Sequence, residues 1–135
     1  MKDLVRFIDF PVIGDERGSL VAIEGNKNVP FDIKRVYYLF GMQSDLPRGF
    51  HAHKNLIQIA ICVKGSCKIL MDSGTENETV NLNSPSKGLI IDVMQWHEMH
   101  DFSPDCILMV LASDKFDEND YIRDYDEFIN IVKGG

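Results

Sequence analysis

The sequence predicts an all-β sandwich or barrel that ends in one short helix. Runs of β-branched and aromatic residues follow one another at about eight to twelve residues, with turn residues between them, which favours a sandwich or barrel over alternating β and α units. Helical periodicity is visible only near the end, where apolar side chains recur at three- and four-residue spacing from Tyr121 to Val132. Asp117, Glu118 and Asp120 precede that run, where a helix dipole favours negative charge.

Turn residues divide the remainder of the chain into short strands. Pro11 and the loop Gly14–Gly18 end the first strand, and Lys64-Gly65 joins two later strands as a hairpin. We expect strands at residues 5–10, 19–24, 33–42, 50–53, 57–63, 66–71, 79–82, 88–93, 96–102 and 106–112.

Length and charge exclude several classes of protein. With 135 residues, of which 44% are hydrophobic, the chain is expected to form a single domain over residues 1–135. A net charge of −7 argues against nucleic-acid partners and anionic membranes, since both require dense positive charge. No apolar run approaches the roughly 20 residues of a membrane helix, and no secretory signal is visible. The three cysteines lack Cys-x-x-Cys spacing, so we expect reduced core thiols in a cytoplasmic protein.

The segment Arg48–Lys54, with the sequence RGFHAHK, holds two of the four histidines. Alternate side chains of a strand share one face, so His51 and His53 are expected to converge on one small volume. Such a pair suits metal ligation or proton transfer, because the pKa of imidazole lies near neutrality. The alternative is a pair of half-exposed strand histidines without a chemical role.

The run of residues 33–42 offers two tyrosines on opposite faces of one strand. Arg35, Tyr37 and Leu39 share one face, and Tyr38 lies on the other. Only one of the two phenols can therefore face the histidines, and we expect this to be Tyr37. Arg35 shares that face and is a candidate for substrate binding, whereas a buried core tyrosine is the alternative for Tyr37.

Two segments resemble the motifs of the cupin superfamily. Gly49-x-His51-x-His53, followed by Gln58 and Gly65, is similar to the first motif, and residues 90–97, ending in His97, are similar to the second. Metal-binding cupins use two histidines, an acid and a final histidine. Here a neutral amide occupies the acid's place, which removes the anionic ligand that helps to hold a divalent ion.

A closer resemblance covers nearly the whole chain. Five segments are similar to the sugar 3,4-ketoisomerases, which are metal-free cupins: Gly14–Leu20, Lys34–Tyr38, Arg48–Lys54, Trp96–Ser103 and Tyr121–Tyr125. The resemblance implies a jelly-roll barrel, no metal and no other cofactor. It also implies a homodimer with exchange of N-terminal strands, and a dTDP-linked 4-keto-6-deoxyhexose as substrate. The product then supplies aminotransferases that make 3-amino-3,6-dideoxyhexoses for lipopolysaccharide, S-layer glycans or antibiotics.

The resemblance implies a catalytic role for the paired histidines. In a 4-keto sugar the hydrogen on C3 is acidified by the neighbouring carbonyl, so a positioned base removes it and gives an enediolate. We expect His51 to be this base, with His53 and Tyr37 carrying the proton between O4 and O3. Arg48 offers fixed positive charge to a phosphate or to the developing oxyanion.

Three further residues are candidates for substrate binding. Arg17, in the glycine-flanked loop, and His97 are expected to help fix sugar orientation, and Trp96 is a candidate wall of the sugar pocket. If the face that loses the C3 proton also returns it to C4, the product has the galacto configuration. We therefore expect dTDP-3-keto-6-deoxygalactose, with the gluco-configured ketone as the alternative.

Two other classes of function remain open at the level of the sequence. A metal-dependent cupin would use His51, His53 and His97 as a set of ligands. A noncatalytic sugar-nucleotide binding module would keep Arg48 and the pocket but would need no base. Metal analysis of the active protein and replacement of His51 by asparagine distinguish these classes from a metal-free isomerase.

Overall fold

The computed structural model describes residues 3–134, which form short strands, a 3-10 turn and a C-terminal helix. The elements are β1 (Phe7–Asp9), β2 (Ile13–Asp15), β3 (Gly18–Leu20), β4 (Arg35–Leu39), β5 (Arg48–His53), β6 (Gln58–Lys64), β7 (Cys67–Asp72), β8 (Asn77–Leu82), β9 (Lys87–Ile91), β10 (Trp96–His100), β11 (Ile107–Ala112), the 3-10 turn Glu118–Asp120, β12 (Tyr121–Ile122) and α1 (Tyr125–Gly134). The all-β prediction with one short C-terminal helix is confirmed.

Within residues 3–134 the strands form two five-stranded antiparallel sheets and a separate hairpin. The first sheet has the order β1-β9-β6-β11-β4, and the second has the order β12-β5-β10-β7-β8. Strands β2 and β3 pair with each other. Consecutive strands often lie in different sheets, as in a jelly roll, so the chain crosses repeatedly between two layers that enclose the core.

The strand sequences reflect their positions in the sheets. Gln58 to Cys62 of β6 are all buried, because β6 lies inside its sheet and both of its faces are covered. Strand β4 lies at the edge of the same sheet, and its side chains alternate between half-buried and exposed. As expected, Tyr37 is partly buried, whereas Tyr38 is 63% exposed.

Alternation also divides the second sheet into an inner and an outer face. His51 and His53 of β5 and His97 of β10 lie on the inner face. The outer face is covered by α1, where Phe128 packs against Trp96 and buries it. The predicted amphipathic helix therefore packs on the barrel as expected.

The helix boundary differs from the sequence prediction. Residues 121 and 122 form β12, which pairs Tyr121 with His53 and Ile122 with Ala52, and the helix begins only at Tyr125. The buried carboxylate of Asp120 holds this segment, since it accepts hydrogen bonds from the backbone N–H groups of residues 55 and 56. The apolar pattern of the helix extends over two residues that pair with the sheet instead, so the predicted helix began too early.

The strand expected at residues 19–24 ends at Leu20. The following loop is organised by Asn28, whose side chain accepts a hydrogen bond from the backbone N–H of Glu24 and donates one to the carbonyl of Ala22. These side-chain bonds replace a strand ladder. Among residues 3–134, no helix combines the length and the apolar character that a membrane crossing requires.

Candidate active site

Three histidines converge inside the barrel. The ring centroid of His51 lies 4.9 Å from that of His53 and 4.6 Å from that of His97. Antiparallel pairing explains the convergence, because His51 is the register partner of His97 across β5 and β10. The expected shared face of His51 and His53 is therefore observed, and a third imidazole completes the cluster.

A glycine allows these two strands to approach closely. Gly49 has a φ of +91°, and a Cβ placed there would lie 3.0 Å from the carbonyl oxygen of His97. Any other residue would strain the backbone and press on β10. The carbonyl of Gly49 in turn lies 3.1 Å from Nδ1 of His51, so the same residue orients the imidazole.

Backbone carbonyls set the tautomers of two histidines. Nδ1 of His51 lies 3.1 Å from the carbonyl oxygen of Gly49, and Nδ1 of His97 lies 3.2 Å from that of Gln95. Since a carbonyl only accepts hydrogen bonds, Nδ1 carries the proton in both neutral rings. The lone pair of each ring is therefore on Nε2.

All three imidazoles are neutral at pH 7. Burial lowers the pKa of His51 below its ordinary value. Burial, reinforced by the charge of His51, lowers the pKa of His53 to about 4 and that of His97 to about 3. An unprotonated imidazole with a free Nε2 is an acceptor of protons, so the cluster is poised as a base.

Asp120 lies behind His53, away from the cavity. Its Oδ2 is 3.4 Å from Nδ1 of His53, a long contact that still favours a proton on that nitrogen. Both carboxylate oxygens are fixed by the backbone N–H groups of Asn55 and Leu56, at 2.8 and 3.2 Å. Nε2 of His53 is buried and lacks a hydrogen-bond partner within residues 3–134.

Tyr37 faces the histidine end of the barrel, as the sequence predicted. Its hydroxyl oxygen accepts a hydrogen bond of 2.8 Å from Nε2 of the buried Gln58. That bond leaves the phenolic O–H free to donate elsewhere. Burial raises the pKa of Tyr37, so the phenol stays protonated near neutral pH. Gln58, which replaces the acid of metal-binding cupins, thus orients a proton donor.

A cavity of about 390 Å³ opens beside these side chains. Its walls are Arg35, Tyr37, Leu39, Arg48, Gly49, His51, Met99, Tyr121 and Arg123. Three guanidinium groups at one cavity suit an anionic ligand, because arginine stays charged at any working pH. The predicted residues Arg35, Arg48, Tyr37 and His51 are therefore brought together, and His53 and His97 lie directly behind them.

Strand β12 and the residue that follows it contribute two cavity residues that the sequence did not predict. The ring of Tyr121 lies 4.4 Å from that of His53 and 4.9 Å from that of His51. The guanidinium of Arg123 stacks over Tyr121 at 4.2 Å and forms two hydrogen bonds to Glu118. The helical reading of residues 121–132 concealed them, although their segment was among those that resemble the ketoisomerases.

Two residues that were predicted to bind substrate, Trp96 and Arg17, lie away from this cavity. Trp96 is 3% exposed and packs under α1, because it follows the opposite strand parity from His97. Its expected role as a wall of the sugar pocket is not compatible with this position. Arg17 lies in the β2–β3 hairpin, where it is exposed and paired with Asp15.

The histidine cluster also meets the spacing of a metal site. One nitrogen from each of His51, His53 and His97 lies within 4.8 Å of the others. The donor set is three neutral imidazoles, and the amide N–H of Gln58 is engaged by Tyr37. A divalent ion held here would lack the carboxylate of the metal-binding cupin motif, so these residues fit a metal less well than that motif does.

Residues 3–133 match the sequence model of the family FdtA, described as WxcM-like, C-terminal. The chain belongs to the FdtA family. A relative from Aneurinibacillus thermoaerophilus, named TDP-4-oxo-6-deoxy-alpha-D-glucose-3,4-oxoisomerase, is 54% identical over 136 residues, which cover 96% of this chain and 98% of the relative.

Solved structures extend the comparison to three dimensions. The 3,4-ketoisomerase QdtA of Thermoanaerobacterium thermosaccharolyticum, as a histidine-to-asparagine variant in complex with TDP-4-keto-6-deoxyglucose, matches with a TM-score of 0.95 at 46% identity, over 99% of this chain and 97% of that one. A double variant of QdtA in complex with TDP, carrying a new arginine at its position 17 and a new histidine at its position 97, also has a TM-score of 0.95, at 48% identity and the same coverage. The FdtA family fold and its jelly-roll architecture are thus established for this chain.

Proposed function

We propose that this member of the FdtA family is a dTDP-4-keto-6-deoxy-D-glucose 3,4-ketoisomerase. The observation that carries the proposal is His51, a neutral imidazole whose Nδ1 is held by the backbone and whose ring lines an arginine-rich cavity. The 54% identical relative carries the corresponding name, and a QdtA variant lacking one histidine binds the 4-keto substrate. Both facts support the same substrate here.

The reaction requires only proton transfers. Nε2 of His51 removes the proton from C3, and the electrons of the C3–H bond form the double bond of an enediolate while O4 takes the negative charge. A proton then moves from O3 to O4, and the imidazolium of His51 returns its proton to C4. The ketone has moved to C3, and no oxidant is consumed. General acid–base catalysis of this kind contributes about 10² to 10⁴-fold.

Tyr37 and His53 act on the two oxygens of the enediolate, one by donating a hydrogen bond and the other by relaying a proton. The free O–H of Tyr37 stabilises O4 as charge develops there, which a preorganised donor does without reorganisation. The imidazole of His53 lies 4.9 Å from His51, between Asp120 and the cavity side, and relays the proton that passes between O3 and O4. Both assignments agree with the roles expected from the sequence.

The arginines supply the site for the diphosphate. Arg48 and Arg123 line the cavity, and Arg35 has a buried Nε without a hydrogen-bond partner among the described residues. An unpaired buried guanidinium nitrogen is costly unless a ligand completes it. A nucleoside diphosphate offers such oxygens, and arginine binds them bidentately.

The product is proposed to be dTDP-3-keto-6-deoxygalactose. One base on the lower face of the sugar removes the C3 proton and returns it to C4 from that same face, which gives the galacto configuration. Arg17 and His97 are proposed to fix the sugar in the matching orientation.

The protein is proposed to act as a homodimer. Hairpin β2–β3 pairs only with itself among the described residues and exposes Val12, Ile13 and Leu20, at 56, 60 and 56%. An exposed apolar hairpin gains by adding to a second subunit. Strand β1 pairs with β9 of its own chain, so the hairpin is the part of the N-terminal segment with a free face. Such docking also gives Arg17 a route to a partner's cavity.

We place the enzyme in the cytoplasm, where its buried cysteines stay reduced. There it would supply a 3-keto sugar nucleotide to an aminotransferase, because a ketone at C3 is the group that a transaminase converts to an amine. The products of such a sequence are 3-amino-3,6-dideoxyhexoses.

The direct test is incubation with dTDP-4-keto-6-deoxyglucose and NMR of the product. Movement of the carbonyl carbon from C4 to C3 is expected, with solvent deuterium at C4 only to the extent that the imidazolium of His51 exchanges before it returns its proton. Borohydride reduction of the fresh product is expected to give fucose- and gulose-type 6-deoxyhexoses. Quinovose- and allose-type sugars alone would refute the same-face route, and an unchanged ketone would refute the isomerase.

Metal analysis tests the metal-dependent alternative. The active protein is expected to keep its full rate after dialysis against a strong chelator, because the proton transfers need only side chains. Stoichiometric iron, manganese or zinc whose removal abolishes turnover would favour the metal-dependent cupin instead.

Mixed dimers test the position of Arg17. Equal amounts of the Arg17→Ala and His51→Asn variants are exchanged, so that each mixed dimer holds one subunit with each lesion. If Arg17 serves the partner's cavity, activity returns toward that of one intact site per mixed dimer. If it serves its own chain, both sites keep one lesion and activity stays low.

A further inference from the structure

The cysteines form a second buried cluster at the other end of the barrel. Cys62 lies near the end of β6, Cys67 begins β7 and Cys106 directly precedes β11, and they are 1, 2 and 3% exposed. Cys62 follows Gln58 by four residues on the same inward face, about 13 Å along the strand. The thiols therefore lie far from the histidines and are not used by the proposed reaction.

The distances match those of a thiolate metal site. The Sγ atoms of Cys62 and Cys106 are 3.7 Å apart, and the three Sγ atoms all lie within 4.8 Å of one another. Zinc–sulfur bonds of about 2.3 Å place two ligands of a tetrahedral ion roughly 3.8 Å apart. The carbonyl oxygen of Lys64 lies 3.2 Å from Sγ of Cys62, where it suits a fourth ligand.

We propose that Cys62, Cys67 and Cys106 form a structural site for a thiophilic divalent cation, Zn²⁺ or Cd²⁺, with the Lys64 carbonyl as the fourth donor. Soft thiolates select such ions, and structural sites are closed to solvent. Binding exchanges three thiol protons for the ion, so M²⁺ and three S–H groups give a trithiolate of charge −1 and three released protons. No electron transfer is involved.

The three thiols differ in acidity. Hydrogen bonding from Cys67 lowers the pKa of the Cys62 thiol to about 7. Burial and the neighbouring thiols raise the pKa of Cys67 and Cys106. Metal binding is therefore expected to be pH-dependent, weakening as the pH falls, since the ion must compete with protons.

Two hydrogen bonds hold the turn above the cysteine cluster in place, and an acidic side chain lies beside the cluster. Ser66 and Ser103 exchange two hydrogen bonds of 2.9 Å, which hold the β6–β7 turn against the segment before Cys106. Asp105 accepts a hydrogen bond from Ser103, and its carboxylate offers a cation an anionic point of entry. Three core thiols without a ligand are the alternative, because free cysteine also packs as a small apolar residue.

Cadmium titration of the reduced full-length protein tests the site. One Cd²⁺ per chain is expected, with thiolate-to-cadmium charge-transfer absorption, release of three protons and a higher melting temperature. Turnover of the 4-keto sugar is expected to stay within twofold. Absence of charge-transfer absorption at one equivalent of Cd²⁺ would overturn the proposal.

Two variants assign the ligands. Cys67→Ala should lose the charge-transfer band and weaken Cd²⁺ binding at least a hundredfold, whereas His51→Asn should keep both, since it alters only the histidine cluster. A full band in Cys67→Ala would overturn the assignment. If that variant fails to fold, ¹¹³Cd NMR of the unmodified protein decides, because a resonance typical of nitrogen and oxygen ligands alone would equally exclude the thiolate site.

Discussion

Two clusters of three ionisable side chains lie between the same two sheets, one of histidines and one of cysteines. In each cluster the candidate ligand atoms lie within 4.8 Å of one another. His51 lines a cavity of about 390 Å³ with His53 and His97 buried directly behind it, whereas Cys62, Cys67 and Cys106 all lie beneath a turn. Side-chain clustering is thus common to both ends, and access to solvent is not.

The clusters also differ in how their polar atoms are satisfied. Nε2 of His53 and Nε2 of His97 are buried and unpartnered within residues 3–134, whereas the cysteine sulfurs contact one another and the Lys64 carbonyl. Unpaired buried nitrogens beside a cavity cost stability, and catalytic sites commonly keep such groups. The open end is thus suited to chemistry, and the closed end to stabilising the barrel.

Removing the base at the open end should have the largest effect. His51→Asn is expected to lower kcat by about 10³-fold or more, because the general base is lost. The asparagine side chain occupies the position of the imidazole, so the cavity keeps its shape. The affinity for TDP should stay within about threefold, since the arginines are intact. Product NMR and calorimetric titration with TDP measure the two quantities.

That result depends on His51 acting in proton transfer rather than in binding. Loss of TDP affinity in parallel with the rate would indicate a structural collapse of the cavity. A residual rate above a tenth of the original would show that another group removes the C3 proton.

The two tyrosines of β4 lie on opposite faces of the strand and give a matched test of the inner face. Tyr37→Phe is expected to lower kcat by about 10²-fold, since the enediolate loses a preorganised donor. Tyr38→Phe makes the same chemical change on a ring that is 63% exposed and should leave kcat unchanged. Equal rates for the two variants would remove Tyr37 from the mechanism.

Asp120 is proposed to position His53, and its removal should have a moderate effect. Asp120→Asn retains one acceptor oxygen but weakens the contact that orients His53, so kcat is expected to fall about tenfold with KM unchanged. Asp117→Asn is the control, because the Asp117 carboxylate only caps the 3-10 turn through the N–H of Asn119. A raised KM with normal kcat would indicate that Asp120 acts on binding instead.

Acid should destabilise the histidine end specifically. In the unfolded chain, histidine titrates near its ordinary pKa of about 6.5, whereas the folded values are about 4 for His53 and about 3 for His97. As the pH falls from 6.5 toward 4, the unfolded state therefore binds protons that the folded state does not. Each histidine then lowers the free energy of unfolding by about 1.4 kcal/mol per pH unit.

Urea denaturation between pH 6.5 and 4.5 measures this dependence. The His97→Gln variant is expected to show a slope shallower by about 1.4 kcal/mol per pH unit, whatever its stability at pH 7. Cys67→Ala should keep the original slope. Identical slopes for all three proteins would mean that His97 titrates normally in the fold.

The sequence was sufficient for the elements that obey simple periodicity. Strand alternation correctly placed His51 and His53 on the inner face of the second sheet, and Tyr37 on the inner face of the first. The turn at Lys64-Gly65 was correctly located, but the hairpin expected there was wrong, because β6 and β7 lie in different sheets and pair with other strands. The same alternation argues against Trp96 as a pocket wall, because it neighbours the inward His97. The resemblance to the cupin motif concerns His97 and says nothing about the face on which Trp96 lies.

Residues that depend on long-range pairing were not predictable in the same way. Tyr121 fits a helical apolar pattern, and only the backbone hydrogen bonds to Asp120 and the pairing with His53 convert its segment to a strand. Gln58 stands at the place of a metal-binding acid in the sequence, but in the fold it donates a hydrogen bond to Tyr37. Neither contact can be predicted from the spacing of residues along the sequence.

The smallest effect is expected at the closed end. In the presence of a chelator, Cys67→Ala removes one buried sulfur from a packed core, which should lower the free energy of unfolding of the metal-free protein by about 1 kcal/mol. Its sulfur is a member of the cysteine cluster and lies outside the cavity lining, so kcat and KM should remain within twofold. Chemical denaturation and steady-state kinetics on the same preparation give both values. A tenfold loss of kcat in a variant with native stability would show that the ends are mechanically coupled through β7 and β10, which pair along their whole length. Unchanged kinetics would assign catalysis to the open end alone.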